Sequence, residues 1–216
     1  MGWLKRARHR IGEASGDQPL DSLRYVVVDT ELTSLEARTN RLLSIGAISM
    51  QGPSIRLGEQ FYRVVNPQVS IPAETVVIHK LRSEDVQQGD QLQATLKDFS
   101  QLAEGAVLVG HFVNIDLKVL HKESAQVGLK LDNPAIDTAL VHHWILRHGP
   151  YSEDLSLQLE KLNLPTLAKF YSIDVDNSHH ALSDAFLTAR VWQKMLYTLQ
   201  ARGIDKLDKL LRVGGA

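Results

Sequence analysis

Apolar runs in the first third of the chain predict three β-strands. The stretch RYVVVDTEL (24–32) carries an uninterrupted valine run, which is typical of a central strand covered on both faces. The stretches RLLSIGAISM (41–50) and EQFYRVVN (59–66) predict a second and a third strand, and the turn-forming segments EARTN and QGPS separate the three. Connections this short predict an antiparallel meander.

Helical periodicity dominates the rest of the chain. A short apolar stretch, AVLVGH (106–111), predicts one more buried strand. Around it, apolar residues recur at helical spacing in five segments, namely 82–105, 114–128, 135–149, 153–164 and 181–200. Three strands followed by a fourth strand that lies between helices predict a single α/β or α+β domain with a mixed sheet.

Composition narrows the class of protein. A chain of 216 residues with 44% hydrophobic content can bury one sizeable core. No run approaches the roughly 18 apolar residues of a membrane span, and the N-terminus lacks a signal-like apolar segment, so we expect a soluble, cytoplasmic protein without a membrane partner. The chain has no cysteine, so a bound metal must use oxygen or imidazole ligands. The net charge of −1 gives no overall electrostatic signature of a protein that coats nucleic acid.

Two carboxylates follow the valine run. Asp29 and Glu31 point to the same face of a strand because side chains alternate along it. At about 4 Å they would repel by roughly 4 kcal/mol at an effective dielectric near 20, and a cation between them would remove that cost. The pair therefore indicates a metal site at the end of the strand.

Two more acids stand in suggestive places further along the chain. Asp116 follows the strand at 106–111 by a short turn, and Asp184 opens the last long helix five residues after His179. Taken singly, Asp116 could cap a helix and Asp184 could be a solvated helix residue. The acids stand in a suggestive order: the end of a strand, then a strand-turn-helix, then a histidine ahead of an aspartate. This order favours a shared site.

Three segments carry a resemblance to a known family. These are DTELTSL with Asp29 and Glu31, HFVNID with Asp116, and HHALSDA with His179 and Asp184. In this order they resemble the motifs of the DEDDh 3′-5′ exonucleases, a family that includes the proofreading epsilon subunit of DNA polymerase III. The resemblance spans roughly residues 24–200 and keeps all four carboxylates and the histidine. The turn after the first motif and the second motif depart from the family pattern, with Leu32, Ser34, Phe112 and Ile115 at the changed positions.

The resemblance implies a fold and a domain layout. The fold would be a ribonuclease H-like α/β fold, in which a mixed central sheet, an antiparallel meander plus parallel strands, is flanked by helices. The exonuclease domain would span residues 24–200. A partly disordered N-terminal tail would precede it at 1–23, and a C-terminal tail would follow at 201–216.

The resemblance also implies a mechanism. Asp29, Glu31, Asp116 and Asp184 would hold two Mg²⁺ or Mn²⁺ ions, and His179 would act as general base. His180 is the competing histidine, and only the spacing of the family motif selects His179. The terminal nucleotide would lie against Leu32, Thr33 and Phe112.

These implications predict hydrolysis of single-stranded nucleic acid from its 3′ end to nucleoside monophosphates, with DNA favoured over RNA. We expect either a stand-alone nuclease or one that associates loosely with a DNA polymerase. The alternatives are an RNA-trimming exoribonuclease, a noncatalytic nucleic-acid-binding module with the same fold, and a glycoside hydrolase. A glycoside hydrolase would need only two carboxylates and no metal.

Overall fold

A mixed β-sheet forms the centre of the molecule. The structure, a computed structural model, describes residues 16–34, 36, 39–69, 83–149, 162–175 and 180–216. Within these ranges five strands lie in the order β3-β2-β1-β4-β5. They are β1 (Arg24–Leu32), β2 (Leu42–Gln51), β3 (Ser54–Val64), β4 (Val107–Gly110) and β5 (Ala135–Asp137).

Both kinds of strand pairing occur in this sheet. β1 pairs antiparallel with β2, and β2 pairs antiparallel with β3, which confirms the predicted meander. β4 runs parallel to β1 and to β5 on the other side. The predicted mixed sheet is therefore confirmed, with β1 in its middle.

Seven α-helices and one short 3-10 helix (Leu20–Ser22) lie in the described ranges. The α-helices are α1 (Ser83–Gln87), α2 (Leu92–Ala103), α3 (Asn114–Gln126), α4 (Thr138–Arg147), α5 (Leu164–Phe170), α6 (Ala181–Ala201) and α7 (Leu207–Gly214). α3 and α6 begin at the predicted residues.

The helix predicted over 82–105 is wrong as one continuous element. The chain leaves α1 at Gln87 and enters α2 at Leu92, because Asp90 donates its N–H to the Val64 carbonyl at 2.8 Å. Gly89 permits this approach, since a Cβ there would stand 2.8 Å from the Asn66 nitrogen. A contact between distant parts of the chain thus interrupts a locally helical pattern.

One other helix prediction differs from the structure at its start, and a second falls almost wholly outside the described residues. Residues Ala135–Asp137, predicted as the first turn of a helix, form the edge strand β5 instead. The helix predicted over 153–164 lies outside the described residues except at 162–164. α5 was not predicted, although Asn163 caps it by accepting from the Thr166 N–H at 2.9 Å and Pro165 occupies its first turn.

The sheet is covered on both faces by apolar side chains. Val27 faces a cluster that includes Trp192 of α6, whereas its neighbours Val26 and Val28 face a cluster that includes Phe99 of α2 and Leu120 of α3. Burial on both sides explains why the valine run does not alternate with polar residues.

Segments assigned to the tails from sequence also pack on this body where the structure describes them. Leu207 and Leu210 of α7 are buried, and the Ala216 N–H donates to the Ala135 carbonyl at 3.0 Å. Leu20 is buried as well and donates its N–H to the Asp205 carbonyl at 2.9 Å. The domain boundaries themselves stay a prediction. None of the helices in the described part combines the length and the apolarity needed to cross a bilayer.

Candidate active site

The site begins at the carboxyl end of β1. β4 pairs with β1 only as far as Val27, so the residues of β1 after Val27 extend beyond this pairing. Asp29 and Glu31 lie on this extension; Asp29 is half-buried and Glu31 is only 6% exposed. Two acids are thus held in a largely dry position by the central strand.

Gly46 brings α6 against this pair. Gly46 of β2 lies beside Asp29 in the strand register. A Cβ at position 46 would stand 2.1 Å from the carbonyl carbon of Ala181 and 2.2 Å from the nitrogen of Leu182, so the backbone at the start of α6 rests directly on the glycine. This contact fixes the position of Asp184, which lies in the first turn of α6.

We predict that Gly46→Ala displaces the start of α6 and with it the Asp184 carboxylate. Catalytic rate should fall about 10²-fold, because a displacement of about 1 Å at a reacting centre has an effect of that size. Overpacking should also lower the free energy of unfolding by about 1–3 kcal/mol. Both quantities are measured by steady-state kinetics and thermal unfolding.

Gly58→Ala is the matched control. Gly58 lies on strand β3, and a Cβ there meets nothing within 4 Å. The control should keep full activity and stability. A Gly46→Ala protein as active and as stable as its parent would contradict the close packing of α6 on β2.

Three carboxylates converge at this point. One carboxylate oxygen from each of Asp29, Glu31 and Asp184 lies within 4.8 Å of the other two. Burial raises the pKa of Asp29 well above its usual range, and repulsion from Asp116, Glu31 and Asp184 raises it further. Oxygen donors crowded in this way suit a hard divalent cation, which would offset their repulsion.

Asp116 occupies a neighbouring position. It lies in the first turn of α3, where its Oδ1 accepts hydrogen bonds from the Thr30 N–H at 2.9 Å and from the Thr30 hydroxyl. Burial raises the pKa of Asp116 to about 7, although the bonds from Thr30 favour the charged form. Three of the four predicted carboxylates therefore form the compact group. Asp116 lies beside it, hydrogen-bonded to Thr30, the strand residue between Asp29 and Glu31.

The two candidate histidines differ in what the structure describes. His179 lies outside the described residues. His180 is the N-cap residue of α6, and its ring packs on Tyr62 of β3 with centroids 4.4 Å apart and planes at 30°. Burial raises the pKa of Tyr62, and the charge of Glu31 raises it further. The His180 ring is thus engaged in a stacking contact next to the carboxylates.

The three predicted substrate residues have structural contacts. Leu32 is buried in the apolar cluster under α2 and α3. The Thr33 hydroxyl accepts the Arg41 N–H at 2.9 Å, which closes the turn after β1. Phe112 has a positive φ of 53°, packs on the ring of His111, and donates its N–H to Asp137 at 3.1 Å. Contact of these residues with a substrate stays a prediction.

Sequence reasoning missed several residues that build the site. Thr30 anchors Asp116, Gly46 seats α6, and Tyr62 stacks on His180. An isolated glycine inside the strand SIGAI was the one available signal, since it often marks a close approach of backbone. Nothing in the local pattern distinguished Thr30 or Tyr62 from ordinary strand residues.

Comparison with known proteins decides the family. The RNase T family model, described as an exonuclease, matches residues 26–192. The chain belongs to the RNase T exonuclease family. The matched range contains the three carboxylates of the compact group, Asp116 and both candidate histidines, and the resemblance drawn from the three motifs is confirmed.

Two curated relatives of this chain carry polymerase names. A DNA polymerase III subunit epsilon-like protein of Rhodobacter capsulatus is 30% identical over 204 residues, which is 94% of this chain and 28% of that protein. A PolC-type DNA polymerase III of Caldanaerobacter subterraneus subsp. tengcongensis is 29% identical over 186 residues, which is 86% of this chain and 12% of that protein. The chain therefore spans only a minor part of the length of these relatives.

A solved structure confirms the ribonuclease H-like fold. Exonuclease I of E. coli, in complex with a dT13 oligonucleotide, aligns with a TM-score of 0.67 at 15% sequence identity. The alignment covers 84% of this chain and 42% of that one. At this level of identity the likeness concerns the fold.

Proposed function

We propose that this member of the exonuclease family is a metal-dependent 3′-5′ exonuclease that releases nucleoside monophosphates from single-stranded nucleic acid, with DNA favoured. The observation that carries the proposal is the convergence of Asp29, Glu31 and Asp184 within 4.8 Å at the end of the central strand. The preference for DNA is supported by the polymerase names of the two relatives and by the oligonucleotide bound to E. coli exonuclease I.

The carboxylates would hold two divalent ions, Mg²⁺ or Mn²⁺. Asp29, Glu31 and Asp184 fit this role because they supply only oxygen donors and repel one another without a cation. Asp116 would serve the second ion, since its carboxylate is hydrogen-bonded to Thr30, the residue between Asp29 and Glu31. When bound, a pair of such ions polarises the phosphate and lowers the pKa of the attacking water.

Thr30 would keep Asp116 ready for this role. Its two hydrogen bonds to the same carboxylate oxygen favour the ionised form and leave the second oxygen of Asp116 without a bond from Thr30. The strand thereby orients an acid from α3 toward the acids of β1.

His179 is the proposed general base. The order of the motifs supports this role for His179. The stacking of His180 on Tyr62 supports it too, because it gives His180 a structural role. A neutral imidazole can accept the proton of the attacking water near neutral pH.

The experiment that tests the function is hydrolysis under metal depletion. The full-length protein is incubated with 5′-labelled single-stranded DNA, single-stranded RNA and duplex DNA. Products should shorten from the 3′ end in Mg²⁺ or Mn²⁺, activity should vanish in EDTA, and added Mg²⁺ should restore it. Single-stranded DNA should be degraded fastest.

Other outcomes would point to the alternatives. Undiminished hydrolysis in EDTA would overturn the metal mechanism. Binding of DNA without any hydrolysis in Mg²⁺ or Mn²⁺ would indicate a noncatalytic module, and faster digestion of RNA would indicate an exoribonuclease.

We further propose a loose association with a DNA polymerase and a cytoplasmic location. The relatives named as DNA polymerase III proteins support the association. Co-purification of a polymerase subunit with the tagged full-length chain, lost at high salt, is the expected result.

A further inference from the structure

An open groove lies along α6 and is bordered by Asp184, one of the three carboxylates of the compact group. It has a volume of about 420 Å³ and lies between α6 and the residues that follow α5. Val175 and Leu187 form part of its lining, and Asp184, which also belongs to the acidic group, lines it too. The groove therefore borders the candidate active site through Asp184.

Phe186 gives the groove an aromatic wall. Its side chain is 37% exposed, although it lies on a helix whose neighbouring residues Ala185 and Leu187 are buried. An exposed aromatic ring beside a nuclease site can stack a base of any identity.

Arg190 gives the groove a positive charge. It is half-buried, and among the residues that the structure describes its guanidinium donates no hydrogen bond and joins no ion pair. Asp174 also lines the groove without pairing with it. An arginine that is partly withdrawn from water and has no anionic partner among the described residues is suited to an anionic ligand.

We propose that this groove binds the single strand next to its 3′-terminal nucleotide, with one base stacked on Phe186 and one phosphate paired with Arg190. The proposal rests on the proposed exonuclease function, because the occupant is the strand whose end lies at the carboxylates. Arg190 lies six positions after Asp184 on α6, a rise of about 9 Å, so Arg190 would contact a phosphate next to the reacting one rather than the reacting phosphate itself. Stacking and phosphate pairing together describe a site that tolerates any sequence.

The test measures binding of a 5′-fluorescein dT12 oligonucleotide by anisotropy, with the full-length protein in EDTA so that no hydrolysis occurs. Phe186→Ala should raise the Kd about 10-fold through the lost stacking. Arg190→Gln should raise it by a similar factor at low salt. The Arg190 variant should also reduce the slope of log Kd against log salt by about 0.7, the value for one phosphate of a single strand.

Tyr197→Ala and Lys194→Gln are the matched controls. Tyr197 is an exposed aromatic residue and Lys194 an exposed cation on the same helix, and both lie outside the groove. Each should leave the Kd within about twofold of the parent. Equal losses in controls and groove variants, or no loss at Phe186 and Arg190, would overturn the proposal.

A second measurement separates the groove from the active site. The full-length proteins are assayed in Mg²⁺ on dT12 and on the p-nitrophenyl ester of thymidine 5′-phosphate, which has no adjoining strand. The ratio of kcat/KM on dT12 to kcat/KM on the ester should fall about 10-fold in both groove variants. An unchanged ratio with equal losses on both substrates would assign the two residues to the support of α6 and overturn the proposal. If the parent hydrolyses neither substrate, the exonuclease proposal fails, and the anisotropy series still decides whether the groove binds a strand.

Discussion

Asp29→Asn should abolish nuclease activity, with a loss on the order of 10³-fold or more. The amide keeps the shape of the side chain but removes the charge at the centre of the carboxylate group, and a ligand of catalytic metal ions contributes several kcal/mol to the stabilisation of the transition state. The measurement is the initial rate on single-stranded DNA in saturating Mg²⁺. Retention of more than about a tenth of the activity would contradict the assignment of Asp29 as a metal ligand.

The same substitution should stabilise the metal-free protein at high pH. The folded-state pKa of Asp29 is raised by burial and by three neighbouring acids, so the folded state binds the proton more tightly than the unfolded chain does. Ionisation of Asp29 therefore lowers stability progressively as pH rises above the unfolded value near 4. In EDTA the Tm of Asp29→Asn should exceed that of the parent at pH 8, and the difference should shrink toward pH 5.

Mg²⁺ should reverse the order of the two Tm values, so that the parent unfolds at a higher temperature than Asp29→Asn. Binding to the folded parent raises its Tm, whereas the variant has lost a ligand and should gain less. Asp98→Asn, a change of the same charge on the exposed side of α2, should alter neither the activity nor the response to Mg²⁺. A variant whose Tm in EDTA at pH 8 falls below that of the parent would show that Asp29 has a structural role instead.

His179→Ala should reduce kcat about 10²- to 10⁴-fold, since the attacking water loses its proton acceptor while the carboxylates are intact. With Mg²⁺ saturating, kcat of the parent should rise with pH through the titration of an imidazole near pH 6.5, because only the neutral ring accepts a proton. The variant should lack this rise. The measurement is kcat against pH between 5.5 and 8.5.

His180→Ala is the comparison variant. The ring of His180 packs on Tyr62, so its removal should lower the free energy of unfolding by about 0.5–1.5 kcal/mol, the range for an aromatic pair. The rise of kcat with pH should persist. If His180→Ala instead loses that rise and His179→Ala keeps it, the general base is His180 and the motif alignment is off by one residue.

The elements predicted well share a physical cause. β1, α3 and α6 each carry a continuous apolar run or a helical apolar period, and this local pattern matches the surface that each element buries. The elements predicted wrongly depend on distant partners. α1 and α2 are separated because Asp90 bonds to Val64, and Ala135–Asp137 becomes a strand because β4 offers it an edge.

The candidate site likewise has one part that the sequence predicts and another that depends on distant partners. Asp29 and Glu31 are two positions apart in the sequence, and strand alternation alone predicts that they share a face. Asp184 reaches them because Gly46 lets the backbone of α6 approach β2, and Asp116 is held through Thr30. The motifs identified which acids matter, whereas their distances depend on packing between elements.

The sequence by itself determined the family, the central valine strand and the order of the acidic motifs, because these are local patterns of residue type and spacing. Only the tertiary structure decided that three carboxylates form a compact group, that Asp116 stands beside it, and that His180 rests on Tyr62. It also revealed the groove with Phe186 and Arg190, which no motif marks. The physical reason is that periodicity specifies which face of an element is buried, while the contacts between elements depend on how side chains far apart in sequence fit together.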